Sequence, residues 1–171
     1  MDKKYFAASW SEGLKVMTVL VSALLLGMAG YTAQKGFEWA SLTVRVPFLI
    51  LGAVLFAVYA LCYAFAPQGY EIDGAFLTIK RPLREIKLPL SGITEAAPIE
   101  RAALRWSVRL WGVSGLFGFY GLHWKPGLGV YLLYATRCDN LVLLRADKTY
   151  VLSPDDAAGF LETVNSRRGG V

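Results

Sequence analysis

The chain has 171 residues, 55% hydrophobic and 18% charged, below the ~25% charged content usual in a soluble globular domain. Net charge is +5, with five Lys/Arg against three Asp/Glu before residue 67 and thirteen against ten after it. The basic residues are interleaved with acids, which excludes the dense cationic run of a nucleic-acid binder, and two separated cysteines with one histidine exclude a zinc pattern and predict no disulfide.

Residues 1–15, MDKKYFAASWSEGLK, read as a short N-terminal amphipathic lead. Lys3, Lys4 and Lys15 precede the first apolar run, and Tyr5, Phe6 and Trp10 suit the lipid headgroup level. Val16 to Ala33 is a first candidate span of 18 residues, longer than the apolar core of a cleaved signal peptide. Gln34 to Arg45 is a linker of twelve residues, with Trp39 as an interfacial anchor. Val46 to Ala66 follows with no charged side chain in 21 residues. As a helix it is about 32 Å long, which matches a hydrocarbon core of ~30 Å. Residues 16–66 therefore predict a two-helix transmembrane hairpin. The modest basic bias on both outer flanks places the termini in the cytoplasm. Gly27, Ala29 and Gly30, with Gly52 and Ala53, allow close helix approach. The spans carry no charge, which argues against a transport pathway within one subunit.

After Pro67 the hydrophobic period changes. Asp73-Gly74 between Tyr70–Ile72 and Phe76–Lys80 predicts a β-hairpin. Ile86, Leu88 and Leu90 alternate with polar residues, and Pro89 marks an edge or a strand end. Ile93–Ala97 is a further short strand. Residues 98–111 support two readings. Arg101, Arg105 and Arg109 recur every fourth residue, as on one helix face, whereas Trp106, Val108 and Leu110 alternate as in a strand over 105–110, the reading preferred here. Gly112 to Gly129 has glycine at 112, 115, 118 and 121 with Phe117, Phe119 and Tyr120 between them, which predicts a loop rich in aromatics. Gly129–Thr136, Leu141–Leu144 and Tyr150–Leu152 complete the strands. Ser153-Pro154-Asp155-Asp156 predicts a helix over 154–165, with Ser153 as cap, both aspartates at the positive end of the dipole, and Phe160 and Val164 on its apolar face. Residues 166–171 read as a flexible tail.

About seven short strands followed by one amphipathic helix is the layout of a pleckstrin-homology-like (PH-like) barrel. YEIDGAFLTIKRPLREIKLPLSGI resembles the opening of bacterial PH-like domains that follow membrane spans. GVSGLFGFYG, YLLYAT and YVLSPDDAAGF are similar to the second half of one such family of small two-span membrane proteins. The resemblance implies a membrane α-helical hairpin plus an α+β, mainly-β PH-like barrel over 67–165 with one C-terminal helix. It also implies a bacterial cytoplasmic membrane, and it carries no enzymatic activity or cofactor. Eukaryotic PH domains that hold phosphoinositides use a basic pair in the first hairpin loop, where this chain has Asp73-Gly74.

No P-loop, HExxH or GxSxG pattern occurs. His123 lies between Leu122 and Trp124 and reads as a packing residue, and the acids Asp155 and Asp156 read as a helix start. The candidate contact residues are Arg101, Arg105, Arg109, Gly115, Phe117, Gly118, Phe119 and Lys125. In one reading the aromatic loop enters the bilayer interface while the cations meet phosphates. In another it docks a membrane protein partner or a second copy of the chain. In a third it simply covers the barrel mouth. The expectation is a non-catalytic anchored binding module with membrane lipids, a homo-oligomer or a membrane protein as partner and no nucleic acid. The alternative is a subunit of a membrane enzyme, or a weak lipid-modifying enzyme using His123.

Overall fold

Alternation in the first residues already departs from an interfacial lead. In the structure, a computed structural model that describes residues 3–39 and 41–168, Lys4–Ala7 is a strand, β1. Phe6 is buried, its neighbours are exposed, and the ring packs edge-on against Phe160 with centroids 5.2 Å apart. Burying that ring and completing a ladder outweigh the headgroup placement expected for residues 1–15.

Two helices follow, α1 (Glu12–Glu38) and α2 (Leu42–Phe65). Ser11 caps α1, its hydroxyl accepting the Leu14 N–H at 3.3 Å. At 27 and 24 residues the helices are about 40 and 36 Å long, enough to cross a hydrocarbon core. Most of their apolar side chains are exposed, the reverse of a soluble core helix. The expected twelve-residue linker is mostly helical. The Lys35–Glu38 pair at 2.6 Å supports the last turn of α1, and α2 restarts at Leu42. The helices meet where Gly52 faces α1, since a Cβ there would lie 3.0 Å from Thr32 Oγ1 and 3.1 Å from the Ala29 carbonyl. Gly27 and Gly30 do not share this seam, for a Cβ on either meets nothing within 4 Å.

The first sheet adds β2 (Gly69–Ile72), β3 (Phe76–Lys80) and β4 (Ile86–Pro89) in the antiparallel order β1-β2-β3-β4. The β2–β3 turn is closed by the Asp73 carboxylate, which accepts the Ala75 and Phe76 N–H groups at 3.2 and 3.0 Å. The second sheet holds β5 (Glu95–Pro98), β6 (Val108–Ser114), β7 (Phe119–Lys125), β8 (Gly129–Ala135), β9 (Val142–Arg145) and β10 (Thr149–Leu152), in the order β5-β9-β10-β8-β7-β6. Its one parallel pair is β10 with β8.

The expected barrel is therefore not closed: the described strands form two sheets that share no ladder. Tyr70, Ile72, Leu77 and Ile79 of one sheet and Val142, Leu144 and Leu152 of the other form a common core, covered by Phe160 and Val164 of α3 (Ala157–Arg168). Tyr70 ties the layers together. Its hydroxyl donates to the Tyr134 carbonyl at 2.6 Å and accepts the Ser153 N–H at 3.0 Å, and burial pushes its pKa up to about 12.

The start of α3 differs from the expected cap. The Ser153 hydroxyl is taken by the Thr136 N–H at 2.9 Å, so Asp156 caps instead, accepting the Gly159 N–H at 2.9 Å. The helix accordingly begins at Ala157 and runs to Arg168, through part of the segment expected to be a tail. Residues 169–171 of that tail lie outside the described residues. Asp155 turns away from the helix and clasps the N-terminal segment through the Ser9 N–H at 3.0 Å, the Ser9 hydroxyl and Arg137 at 3.3 Å. Burial opposes ionisation of Asp155, but these three donors together outweigh it and hold the carboxyl below its ordinary value. A depressed carboxyl contributes stability above the unfolded value of about 3.9, and that stability is lost as pH falls through the folded pKa. Thermal melts in detergent should therefore show a loss of stability below about pH 4 that is smaller in Asp155→Asn. An identical acid profile in the variant contradicts the clasp.

Candidate functional site

The glycine-rich segment folds as the β6–β7 hairpin and not as the expected loop. Ser114 pairs with Phe119, and the Gly115 N–H donates to the Gly118 carbonyl at 3.0 Å. Gly112 and Gly121 face each other across the ladder at φ +127° and +132°. A Cβ on Gly112 would lie 2.1 Å from the Tyr120 carbonyl oxygen, and one on Gly121 would lie 2.2 Å from that of Trp111. The glycine spacing is thus the mirror symmetry of a hairpin: 112 matches 121 and 115 matches 118 about the tip.

The tip docks on the chain's own helices. The Phe117 ring, at φ +60° and buried, stands 5.3 Å from both Tyr59 and Tyr63 and 6.0 Å from Trp10. The Phe117 N–H donates to Thr18 Oγ1 at 3.2 Å, and that hydroxyl donates to the Gly115 carbonyl at 3.4 Å. The Tyr120 hydroxyl donates to the Cys62 carbonyl, and the Leu83 N–H to the Ala64 carbonyl at 3.0 Å. Arg81 lies over Phe65 and Tyr134 at 5.6 and 5.5 Å. Gly115, Phe117 and Gly118 therefore belong to a joint that fixes the sheet domain to both helices. The helix residues of the joint, Thr18, Tyr59 and Tyr63, carry no local sequence signal, because their role exists only once the hairpin reaches them.

The other predicted residues divide between two places. Arg101 to Leu104 form a single 3₁₀ turn, and the strand starts at Val108, so neither the helical nor the 105–110 strand reading is realised as drawn. Lys125 pins this turn to β7 by donating to the Ala103 carbonyl. Arg101, Arg105 and Phe119 come together around a depression of about 600 Å³ with His123, Tyr131 and Cys138. Arg109 sits on β6 opposite His123 in the ladder, and neither it nor Lys125 lines that depression.

His123 is buried, stacks on Tyr131 at 5.5 Å, and makes its one hydrogen-bond contact among the described residues with the Gly121 carbonyl, at 3.3 Å from Nδ1. Burial pushes its pKa below the ordinary histidine value, so the ring is neutral at pH 7. Burial likewise pushes the Cys138 thiol up, away from thiolate reactivity. No cluster of metal-ligating side chains occurs among the described residues.

The end of the sheet away from the joint carries exposed tryptophans that the strand reading alone did not mark. Trp106 is 82% exposed at φ +66°, held by the Ser107 N–H and hydroxyl, which both donate to the Leu104 carbonyl. Arg105 lies 5.5 Å over its ring. Trp111 is 73% exposed, and Val108, Trp124 and Val130 form an exposed row across three strands. Among the described residues Arg101, Arg105 and Arg109 have no carboxylate partner, while Lys3, Lys80, Arg137 and Arg145 all do.

No curated protein matches the chain. A family profile described as a bacterial PH domain matches residues 68–168, the stretch from the start of β2 to the end of α3, with β1 added from in front of it. Two sheets closed by a C-terminal helix over that same stretch, more than half the chain, are the PH-like fold, and the chain belongs to the bacterial PH domain family, carrying ahead of that domain two helices long and apolar enough to cross a membrane.

Proposed function

We propose that this chain is a membrane-anchored, non-catalytic binding module of the bacterial cytoplasmic membrane. The domain and both termini face the cytoplasm, and the binding face meets the anionic headgroups of the inner leaflet. One observation carries the reading: Arg105 lies over exposed Trp106 and Arg109 shares β6 with exposed Trp111, both cations without a carboxylate partner among the described residues, on a domain fixed to its own helices. Each such cation near an anionic surface contributes about 1 kcal/mol, and indole rings favour the interface. A buried, neutral His123 whose one hydrogen-bond contact among the described residues is to a backbone carbonyl supports the non-catalytic reading over the lipid-modifying alternative.

Hydrogen exchange of the Val108–Trp111 amides tests this in nanodiscs of phosphatidylglycerol and of phosphatidylcholine. Protection should be greater in the anionic discs and should fall at 1 M salt, where the Debye length is about 3 Å. Equal exchange in both lipids overturns the reading.

A second reading rests on the outer edge of β6, which among the described residues ends its sheet unpaired, with Val108 and Leu110 exposed. Such an edge accepts a strand from a partner protein or a second copy. A dimer mass by light scattering in detergent that reverts to monomer in Leu110→Lys would favour it.

A further inference from the structure

Beneath the 3₁₀ turn, the 600 Å³ depression shares Arg101, Phe119, Cys138 and Leu141 with a second of about 1040 Å³, so the two run into one groove. Both are on the scale of ligand clefts, roughly 300–1,000 Å³. At one end the wall is Leu14 and Met17, on the first turns of α1, a candidate membrane span. The floor is apolar, from Phe119, Leu133 and Leu141, on the outer face of the second sheet. Arg101 stands where the two depressions meet, and Arg105 and Arg137 line the one farther from α1. Arg137 is already paired with Asp139 and Asp155, which leaves Arg101 and Arg105 as the available cations. Of the acids on the wall, Asp139 is held by Arg137, and Glu100 carries one opposing charge.

We infer that this groove holds one anionic phospholipid molecule, its phosphate at Arg101 and Arg105 and an acyl chain along Phe119 and Leu141 toward Leu14 and Met17. Charge complementarity selects the head. The α1 wall selects the source, because a chain that leaves the groove past Leu14 and Met17 continues along a candidate membrane span. A free phosphate has no chain to place on that apolar floor. The inference goes beyond the surface contact proposed above, and rests on that reading only in taking α1 to lie in a bilayer.

Native mass spectrometry of the full chain in detergent, titrated with phosphatidylglycerol or phosphatidylcholine, tests it. One phosphatidylglycerol per chain should be retained at a concentration at least 10-fold below that needed for phosphatidylcholine. Gly13→Phe fills the groove mouth without altering any charge, since a Cβ there meets nothing within 4 Å, and should abolish that preference. The double variant Arg101→Gln/Arg105→Gln should also lose it. Arg84→Gln/Lys87→Gln, removing the same charge from exposed positions on β4 and the connection before it, should keep it. Equal retention of both lipids, retention unaffected by Gly13→Phe, or displacement by equimolar inorganic phosphate overturns the assignment. Gly13→Phe leaves the Arg–Trp surface untouched, so the nanodisc protection of Val108–Trp111 reports on that surface separately.

Discussion

Gly121→Ala should, with Gly112→Ala, be among the most damaging single-methyl changes in the sheet domain. The added carbon would lie 2.2 Å from the Trp111 carbonyl oxygen, at a backbone φ of +132° that side chains rarely adopt. Strain in that region costs about 1–3 kcal/mol, and the clash with paired backbone, which cannot move aside without breaking the ladder, adds to it. A loss above about 4 kcal/mol is expected, in the range kept for core and strain defects. Gly127→Ala is the internal comparison. It also has positive φ, +81°, but a Cβ there meets nothing within 4 Å, so only the conformational cost of about 1–2 kcal/mol remains. Thermal melts in detergent should separate the two variants widely. Equal melting temperatures would show that the Gly112–Gly121 approach does not constrain the hairpin.

Phe117→Ala acts at the joint. It removes a buried ring that touches Trp10, Tyr59 and Tyr63, and large-to-small changes of an aromatic in a packed site cost about 3–5 kcal/mol. The loss falls on the contact between the sheet domain and the helices, because the second sheet keeps its own ladders and its own outer cluster. Hydrogen exchange of the Leu116–Phe119 amides should speed up at least 10-fold in the variant, while β9 and β10 keep their protection. Phe119→Ala, on the groove floor, should leave the joint protected. Unchanged exchange at Leu116–Phe119 after Phe117→Ala would contradict docking of the tip on the helices.

These residues also show where sequence reasoning reached and where it stopped. The Asp73-Gly74 hairpin and the Ile86–Leu88–Leu90 alternation were legible because turn chemistry and period are local signals. The two helices were legible from an uncharged apolar run. Strand β1 was not. Lys4–Ala7 is four residues long and pairs with Gly69–Ile72, across both helices, so only a long-range ladder reveals it. Glycine density in 112–121 argued for a loop because glycine frees the backbone, whereas its symmetric placement about Leu116–Phe117 was the hairpin signal. At α3, Ser153-Pro154 and Asp156 both fit a helix start, and the choice fell to Thr136, a distant N–H that captured the Ser153 hydroxyl. Among the candidate contact residues, the fourfold spacing of the arginines implied one face, yet a 3₁₀ turn and a later strand start placed Arg101 and Arg105 at a groove and Arg109 on the sheet.

The most direct measurement is the membrane depth of Trp106. Trp10, Trp39, Trp111 and Trp124 are replaced by Phe, and the protein is reconstituted in vesicles carrying lipids brominated at defined acyl positions. The account predicts quenching of Trp106 by shallow bromines in phosphatidylglycerol vesicles, weaker quenching in phosphatidylcholine, and loss of the difference when Arg101, Arg105 and Arg109 become Gln. Emission that is unquenched in both lipids would place the Arg–Trp surface in water and contradict a membrane-facing binding module.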